Sequence, residues 1–272
     1  MTSLLSSLQN GYNYIFEDAA DPRTNNWFLI RSPIPAFLML VAYHRFVYSI
    51  GPAWMQNRKP FNVDKIIQVY NIIQVLICTW IVVDLFINVY GPTGAYGLKC
   101  IGFDHGTSPL AMKLAGFGWV YFMMKVLDLM DTIFFVLRKK WSQITFLHVY
   151  HHIGMVFLSW FGTKYLPGGQ GIFLVFINSF VHSFMYGYYF ITNYNTNYRK
   201  NLWWKKYLTQ LQLFQFFLIF IQFGRVLFER DCDYPVWPVA VFLPQNFVMI
   251  YLFSQFYKKA YLTPQKETNK QK

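Results

Sequence analysis

An all-α integral membrane protein with seven transmembrane helices is the fold class predicted by this sequence, and three observations predict it. The composition is 55% hydrophobic and 21% aromatic, with only 13% charged residues. That is too apolar for a chain whose whole surface meets water. Apolar runs long enough to cross a bilayer, about 17–25 residues each, can be drawn seven times. Clusters of Lys and Arg recur at alternate ends of these runs.

The runs cover residues 34–49, 66–90, 110–137, 144–160, 172–191, 207–227 and 236–256. The first and fourth lie near the short limit. The amino terminus lacks a basic region followed by an apolar stretch and a small-residue cleavage site, so no removable signal peptide is evident. Insertion would then start at the first run. Short connectors predict one membrane domain, 27–262, between polar tails at 1–26 and 263–272. The final KQK is an imperfect dilysine signal, with Thr268 where a second lysine would stand, and reads as a solvated basic tail.

A net charge of +12 raises nucleic acid as a partner, and its distribution argues against one. Arg58, Lys59 and Lys65 follow the first run; Arg138, Lys139 and Lys140 the third; Arg199, Lys200, Lys205 and Lys206 the fifth; Lys258, Lys259, Lys266, Lys270 and Lys272 the last. Most of the 24 basic residues therefore fall on one side. The other loops are nearly balanced, with Lys99, Asp104, Lys164, Glu229, Arg230, Asp231 and Asp233. The positive-inside rule places the basic side in the cytosol, with the amino terminus luminal or outside and the carboxyl terminus cytosolic. Cys100 and Cys232 both fall in non-cytosolic loops, where an oxidising compartment permits a disulfide; two unrelated thiols are the alternative. Cys78 lies inside the second run and reads as packing.

Ionisable groups inside membrane spans are expensive and mark functional candidates. In KVLDLMDT, Lys125, Asp128, Asp131 and Thr132 share an arc of about 120° at helical spacing. In HVYHH, His148, His151 and His152 share about 100°. NSFVHSFMYGYY aligns Asn178, His182, Met185, Tyr186 and Tyr189, and TQLQLFQF aligns Thr209, Gln212 and Gln215. Counted from the flanking basic residues at 1.5 Å per residue, these groups lie roughly 10–20 Å from the cytosolic charges. Helices of alternating direction thus bring polar side chains to one layer, which predicts a buried chamber opening to the cytosol. Singly, each group has an ordinary reading: an interhelical hydrogen bond for His182, interhelical contacts for Gln212 and Gln215, a structural ion pair for Lys125. His44 and His105 are isolated and carry no assignment.

HxxHH is also a metal-ligand spacing used by membrane desaturases and hydroxylases. Their di-iron centres need about eight histidines, and the layer offers His148, His151, His152 and His182; a single metal stays open at this point. A proton-coupled transporter or a seven-helix receptor would also explain buried His and Asp. A receptor has no evident need for so many polar groups near the cytosolic face. A transporter more often shows repeat symmetry and helices broken by Gly or Pro, whereas these runs are largely uninterrupted. Imidazole can instead serve as nucleophile and general base in a water-poor site. A cytosolic Arg/Lys rim suits a phosphate-bearing substrate, and an aromatic and aliphatic interior suits a lipid tail. Together they suit an acyl-CoA.

KVLDLMDT, FLHVYHH, NSFVHSFMYGYY and TQLQLFQF occur in the order and spacing of the very-long-chain fatty acid elongases. The sequence resembles an animal member over nearly its whole length, including GPAWMQNRKP after the first run. One departure is visible: the family usually has Glu where this chain has Asp128, in K-x-x-E-L-x-D-T. The resemblance implies seven spans, six of them forming an inverted barrel around a closed-end acyl tunnel. It implies a condensing enzyme of the endoplasmic reticulum membrane, acting on acyl-CoA and malonyl-CoA, without a metal or other cofactor. On that resemblance His151 is the nucleophile that accepts the acyl group, and His182 assists by binding the thioester or malonyl carboxylate or by proton transfer. His148 and His152 orient the site, with Asp128 and Asp131 setting imidazole tautomers. Asn178, Tyr186, Tyr189, Gln212 and Gln215 would bond the thioester and pantetheine. Lys125, Arg138, Lys139, Lys140, Arg199, Lys205 and Lys206 would meet CoA phosphates. The family's loop disulfide falls on Cys100 and Cys232. The lipid bilayer and the other enzymes of the elongation cycle are the expected partners, and a homodimer is an open assembly.

Overall fold

The structure, a computed structural model, describes residues 2–195, 197–198 and 202–263. Among them the regular elements are all helical. Helix α1 (Thr2–Asn13) precedes α2 (Pro33–Arg45), which continues through a wide π-helical turn, Phe46–Ile50, into α3 (Gly51–Met55). Then come α4 (Asp64–Leu85), α5 (Pro109–Leu137), α6 (Phe146–Tyr165), α7 (Gly171–Tyr194), α8 (Leu202–Arg225) and α9 (Val239–Tyr257). Each apolar run read from the sequence falls mainly on one of these helices, with ends that overrun it by two to five residues in the runs at 34–49, 66–90, 144–160, 207–227 and 236–256. Five stretches are long and apolar enough to cross a membrane: Pro33–Met55, Asp64–Tyr90, Gly171–Tyr194, Trp203–Arg225 and Val239–Leu262. The other two long helices, α5 and α6, carry the Lys125, Asp128 and Asp131 charges and the three imidazoles of HVYHH.

Local signals set the helix starts. Ser32 and Ser108 cap α2 and α5, each followed by proline at the first helical position, where the missing N–H costs nothing. Thr145 caps α6 by accepting from the His148 N–H at 3.2 Å, which fixes where the three histidines project. Between α6 and α7 the chain reverses at Gly168 and Gly169, both at positive φ. A Cβ on Gly169 would also stand 3.0 Å from the Tyr234 ring.

Helix α4 packs along α7, α5 along α6, and α8 along α9. Helix α7 also meets α5 and α8, while α6 touches α9 and α4 touches α5. Many large apolar side chains face outward, among them Leu76 and Trp80 on α4 and Phe214 and Phe217 on α8. An exposed apolar belt of this extent fits contact with lipid. Cys100 and Cys232 form a disulfide with Cα atoms 5.9 Å apart. It closes the same end of the bundle where Gln170 accepts from the Ile101 N–H and donates to the Gln222 carbonyl.

Residues 1–26 differ from the expected polar tail. Residues 2–18 are helical, and Asp21 and Thr24 are buried. The Thr24 hydroxyl donates to the Thr163 carbonyl at 2.7 Å, so this segment packs on the end of α6. Lys164, read as an ordinary loop charge, is completely buried there. Its ammonium donates to Asn25 Oδ1 at 2.7 Å and to the Ile30 and Arg31 carbonyls, both at 3.1 Å. A buried cation is tolerated only with such partners. They come from a segment far away in sequence, which is why composition alone misplaced it. Of the expected tail 263–272, only Thr263 is among the described residues.

Candidate active site

Helix α5 is the spine of the site. Lys125, Asp128, Asp131 and Thr132 follow one another along about 10 Å of its length. The Lys125 ammonium donates to Asp128 Oδ2 at 2.8 Å, with both side chains 3% exposed. The other carboxylate oxygen, Oδ1, accepts from Gln74 Nε2 of α4 at 2.8 Å and lies 2.9 Å from the Tyr186 hydroxyl of α7. That hydroxyl is also 2.9 Å from Asp131 Oδ2, so one phenolic oxygen bridges the two acidic side chains. Tyr70 of α4 completes the group: its hydroxyl accepts from Gln74 Nε2 at 2.9 Å and lies 3.2 Å from the Tyr186 hydroxyl. A lone carboxylate in this interior would be untenable, and the surrounding donors make it stable.

The same helix holds two histidines from different partners. Lys125 Nζ lies 3.4 Å from His182 Nδ1 on α7, while Asp128 Oδ2 is 3.8 Å from that nitrogen, too far for a hydrogen bond. Two turns further on, Thr132 Oγ1 lies 2.8 Å from His148 Nε2 on α6. The Tyr43 hydroxyl of α2 is 2.7 Å from the same Thr132 oxygen. His148 packs on His152 with ring centroids 4.3 Å apart, and His152 meets His151 edge-on at 5.4 Å. His152 is buried. His151 is half-buried, with the Phe253 ring of α9 at 6.2 Å. No described residue hydrogen-bonds to the His151 ring.

Thr132→Val is expected to cost about 1–3 kcal/mol by stranding the Tyr43 hydroxyl and freeing the His148 ring. Thermal unfolding of the detergent-solubilised protein checks this, and Thr132→Ser is expected to unfold close to wild type.

A third polar layer crosses the bundle beside these groups. The Tyr121 hydroxyl donates to Asn178 Oδ1 at 2.8 Å, and Asn178 Nδ2 donates to Gln215 Oε1 at 3.3 Å. This chain joins α5, α7 and α8. Tyr121 also lines a narrow apolar cavity of about 50 Å³, with Gly118, Met155, Ser159, Gly162 and Thr163 among its walls. Met155 is one helical turn beyond His151.

Other residues predicted from the sequence sit apart from this core. Arg138 pairs with Asp64 at the start of α4, 3.2 Å away, and Lys139 donates to the Gln56 carbonyl at 3.2 Å from a left-handed backbone position. Lys140 is exposed, and Lys205 and Lys206 are half-buried. Arg199 lies outside the described residues. Tyr189 is 39% exposed and touches Tyr186 only edge-on, at 5.8 Å. Gln212 Nε2 is 3.6 Å from Met185 Sδ. Lys125, grouped in the sequence with the phosphate-binding rim, is instead interior and engaged by Asp128.

Gln74, Tyr70, Tyr43 and Tyr121 were missed by the sequence reading. Gln74 and Tyr70 stand one helical turn apart on α4, and that spacing was the available signal. Among the described residues no group of three or more His, Cys, Asp or Glu side chains is arranged to hold a metal ion.

The fold and site define a membrane protein of several apolar helices with a buried imidazole, carboxylate and ammonium centre. Its class is that of a multi-helix membrane protein with a functional centre, because ionisable groups buried in such a bundle are costly and are kept where function needs them. Residues 28–269 match the GNS1/SUR4 family, also termed ELO. The chain belongs to this family. It is 42% identical over 249 residues to very long chain fatty acid elongase 7 of Rattus norvegicus, covering 91% of this chain and 88% of that protein. It is 39% identical over 259 residues to elongase 7 of Drosophila melanogaster, covering 95% and 78%. With elongase 4 of Homo sapiens it shares 38% over 247 residues, covering 91% and 77%.

Proposed function

We propose that this protein is a fatty acid elongase, an acyltransferase that condenses a long-chain acyl-CoA with malonyl-CoA to give 3-ketoacyl-CoA, carbon dioxide and CoA. Family membership and the elongase relatives support the reaction class. The observation that carries the mechanism is the contrast among the imidazoles. Of the four imidazoles in this layer, His148 is held by Thr132 and His182 by Lys125, His152 is buried between two rings, and His151 is half-buried with no hydrogen-bond partner among the described residues. His151 is therefore the nucleophile. It attacks the acyl thioester carbonyl, CoA leaves as the thiol, and the acyl group rests on the imidazole. The malonyl unit then loses carbon dioxide, and its carbanion attacks the acyl carbonyl and frees His151. His148 and His152 orient the ring, and Asp128 and Asp131 anchor the spine that carries the site.

All seven apolar segments span the membrane in this reading, with α4 to α9 closing a barrel around the acyl chain and α2 outside it. The amino terminus is luminal and the carboxyl terminus cytosolic, in the endoplasmic reticulum. The chain enters past Asn178 and Gln215 toward the cavity at Tyr121, Gly118 and Gly162. CoA phosphates meet Lys140, Lys205 and Lys206 at the cytosolic mouth, together with Arg138 and Lys139. The other enzymes of the elongation cycle receive the product, and neither a metal nor another cofactor takes part.

The purified protein in lipid nanodiscs, given radiolabelled malonyl-CoA and a panel of acyl-CoAs, is expected to release labelled carbon dioxide. It should also form a 3-ketoacyl product two carbons longer than the acyl donor. Product without added metal or oxygen supports this reading; an unsaturated or hydroxylated product that requires both would overturn it.

A further inference from the structure

The Lys125 to His182 contact assigns a direction that distance alone does not. An ammonium carries only N–H donors, and Lys125 is already ion-paired with Asp128 at 2.8 Å. Its contact with His182 Nδ1 at 3.4 Å therefore needs a lone pair on that nitrogen. A neutral imidazole with an accepting Nδ1 carries its proton on Nε2. Among the described residues no group accepts from Nε2, although His182 is only 5% exposed.

The ammonium is itself fixed. Asp128 is locked by Gln74 and by the Tyr186 hydroxyl, and the Tyr121 ring lies 4.8 Å from Lys125 Nζ. The tautomer of His182 is thus dictated by a chain that starts on α4 and passes through α5 to α7.

We propose that Lys125 is a positioning residue that holds His182 as its Nε2–H tautomer, so that His182 meets the substrate as a hydrogen-bond donor to an oxyanion and not as a base. The role rests on the elongase reading. When the malonyl unit decarboxylates, the bond between its carboxylate carbon and α-carbon breaks and carbon dioxide leaves. The electron pair passes into the thioester carbonyl, whose oxygen becomes anionic. The Nε2–H of His182 donates to that oxygen while keeping its proton, and the pair returns to the α-carbon as it attacks the acyl group. A fixed donor aimed at developing charge in a water-poor site acts without reorganising.

The test begins with the resting wild-type protein, labelled with ¹⁵N-histidine in nanodiscs, and does not depend on turnover. The His182 resonances are assigned by their loss in His182→Gln. An unprotonated Nδ1 and a protonated Nε2 are expected, retained in Lys125→Arg and lost to a mixture in the Lys125→Met/Asp128→Leu double variant. A protonated Nδ1 in the wild type overturns the proposal, whatever the protein's activity. Kinetics supply the second arm, because a glutamine amide can place an N–H where Nε2 stands but cannot act as a base. His182→Ala is expected to slow malonyl-CoA decarboxylation by roughly 10²–10³-fold, and His182→Gln by less than about tenfold. Equal loss in both variants, with wild-type elongation intact, overturns the donor role. A wild type that fails to elongate, with the tautomer as stated, overturns the elongase reading alone.

Discussion

Replacing His151 by alanine is expected to abolish condensation, with the rate falling at least about a thousandfold, while the protein still folds. The reasoning is chemical. A nucleophile that carries a covalent intermediate has no substitute, whereas groups that orient it leave residual activity when removed. The His151 ring bonds to no described residue, so alanine there strands no buried partner and melting is expected to stay near that of the wild type. Mass spectrometry of the wild type after a pulse of acyl-CoA without malonyl-CoA is expected to show an acyl group on the peptide that contains His151. An adduct on another residue, or steady condensation by His151→Ala, would sink the assignment.

The second large effect concerns stability. Asp128→Leu is expected to destabilise the protein by about 3–5 kcal/mol, because it leaves the Lys125 ammonium buried without its counter-ion. It also removes the acceptor shared by Gln74 and Tyr186. For a chain of this size the loss lowers Tm by roughly ten degrees. The double variant Lys125→Met/Asp128→Leu removes both charges, and an apolar pair in place of a buried ion pair is often neutral or better. It is expected to recover most of the Tm while condensation stays slower than in the wild type. Differential scanning calorimetry of both variants decides the point; a double variant as unstable as the single one would show that the ion pair contributes net stability.

How much of this was legible in the sequence follows from what each pattern encodes. Helices α2 and α4 to α9 were legible because an apolar run of bilayer length has few other solutions. The 3.6-residue period also put Lys125, Asp128 and Thr132 on one face before any partner was known. Distances across helices were not legible. KVLDLMDT reads equally well as a phosphate-binding edge or an interior ion pair, and only the packing of α4 and α7 on α5 shows that Lys125 is enclosed. Gln74 and Tyr70 were passed over because lone polar residues in apolar spans usually bond to a neighbouring helix; here the neighbour is Asp128. Tyr43 was hidden for a different reason. It contributes to the His148 environment from α2, through Thr132, and nothing in the HVYHH stretch points to a helix a hundred residues earlier. The amino-terminal segment was misread as a tail because its stability comes from contacts with the end of α6, and its own composition is unremarkable.

Lys164 also bears on the order in which the protein can be built. Asn25, Ile30 and Arg31 leave the ribosome more than 130 residues before the lysine whose ammonium they surround. At cellular rates of synthesis the wait is on the order of ten seconds. Cys100 waits just as long for Cys232, 132 residues later. The segment around Asn25 and the loop around Cys100 therefore both stand unsealed while the intervening helices are synthesised. That end of the molecule closes in two steps, first at Lys164 and then at Cys232, and a nascent chain stalled before Lys164 leaves both segments without their partners.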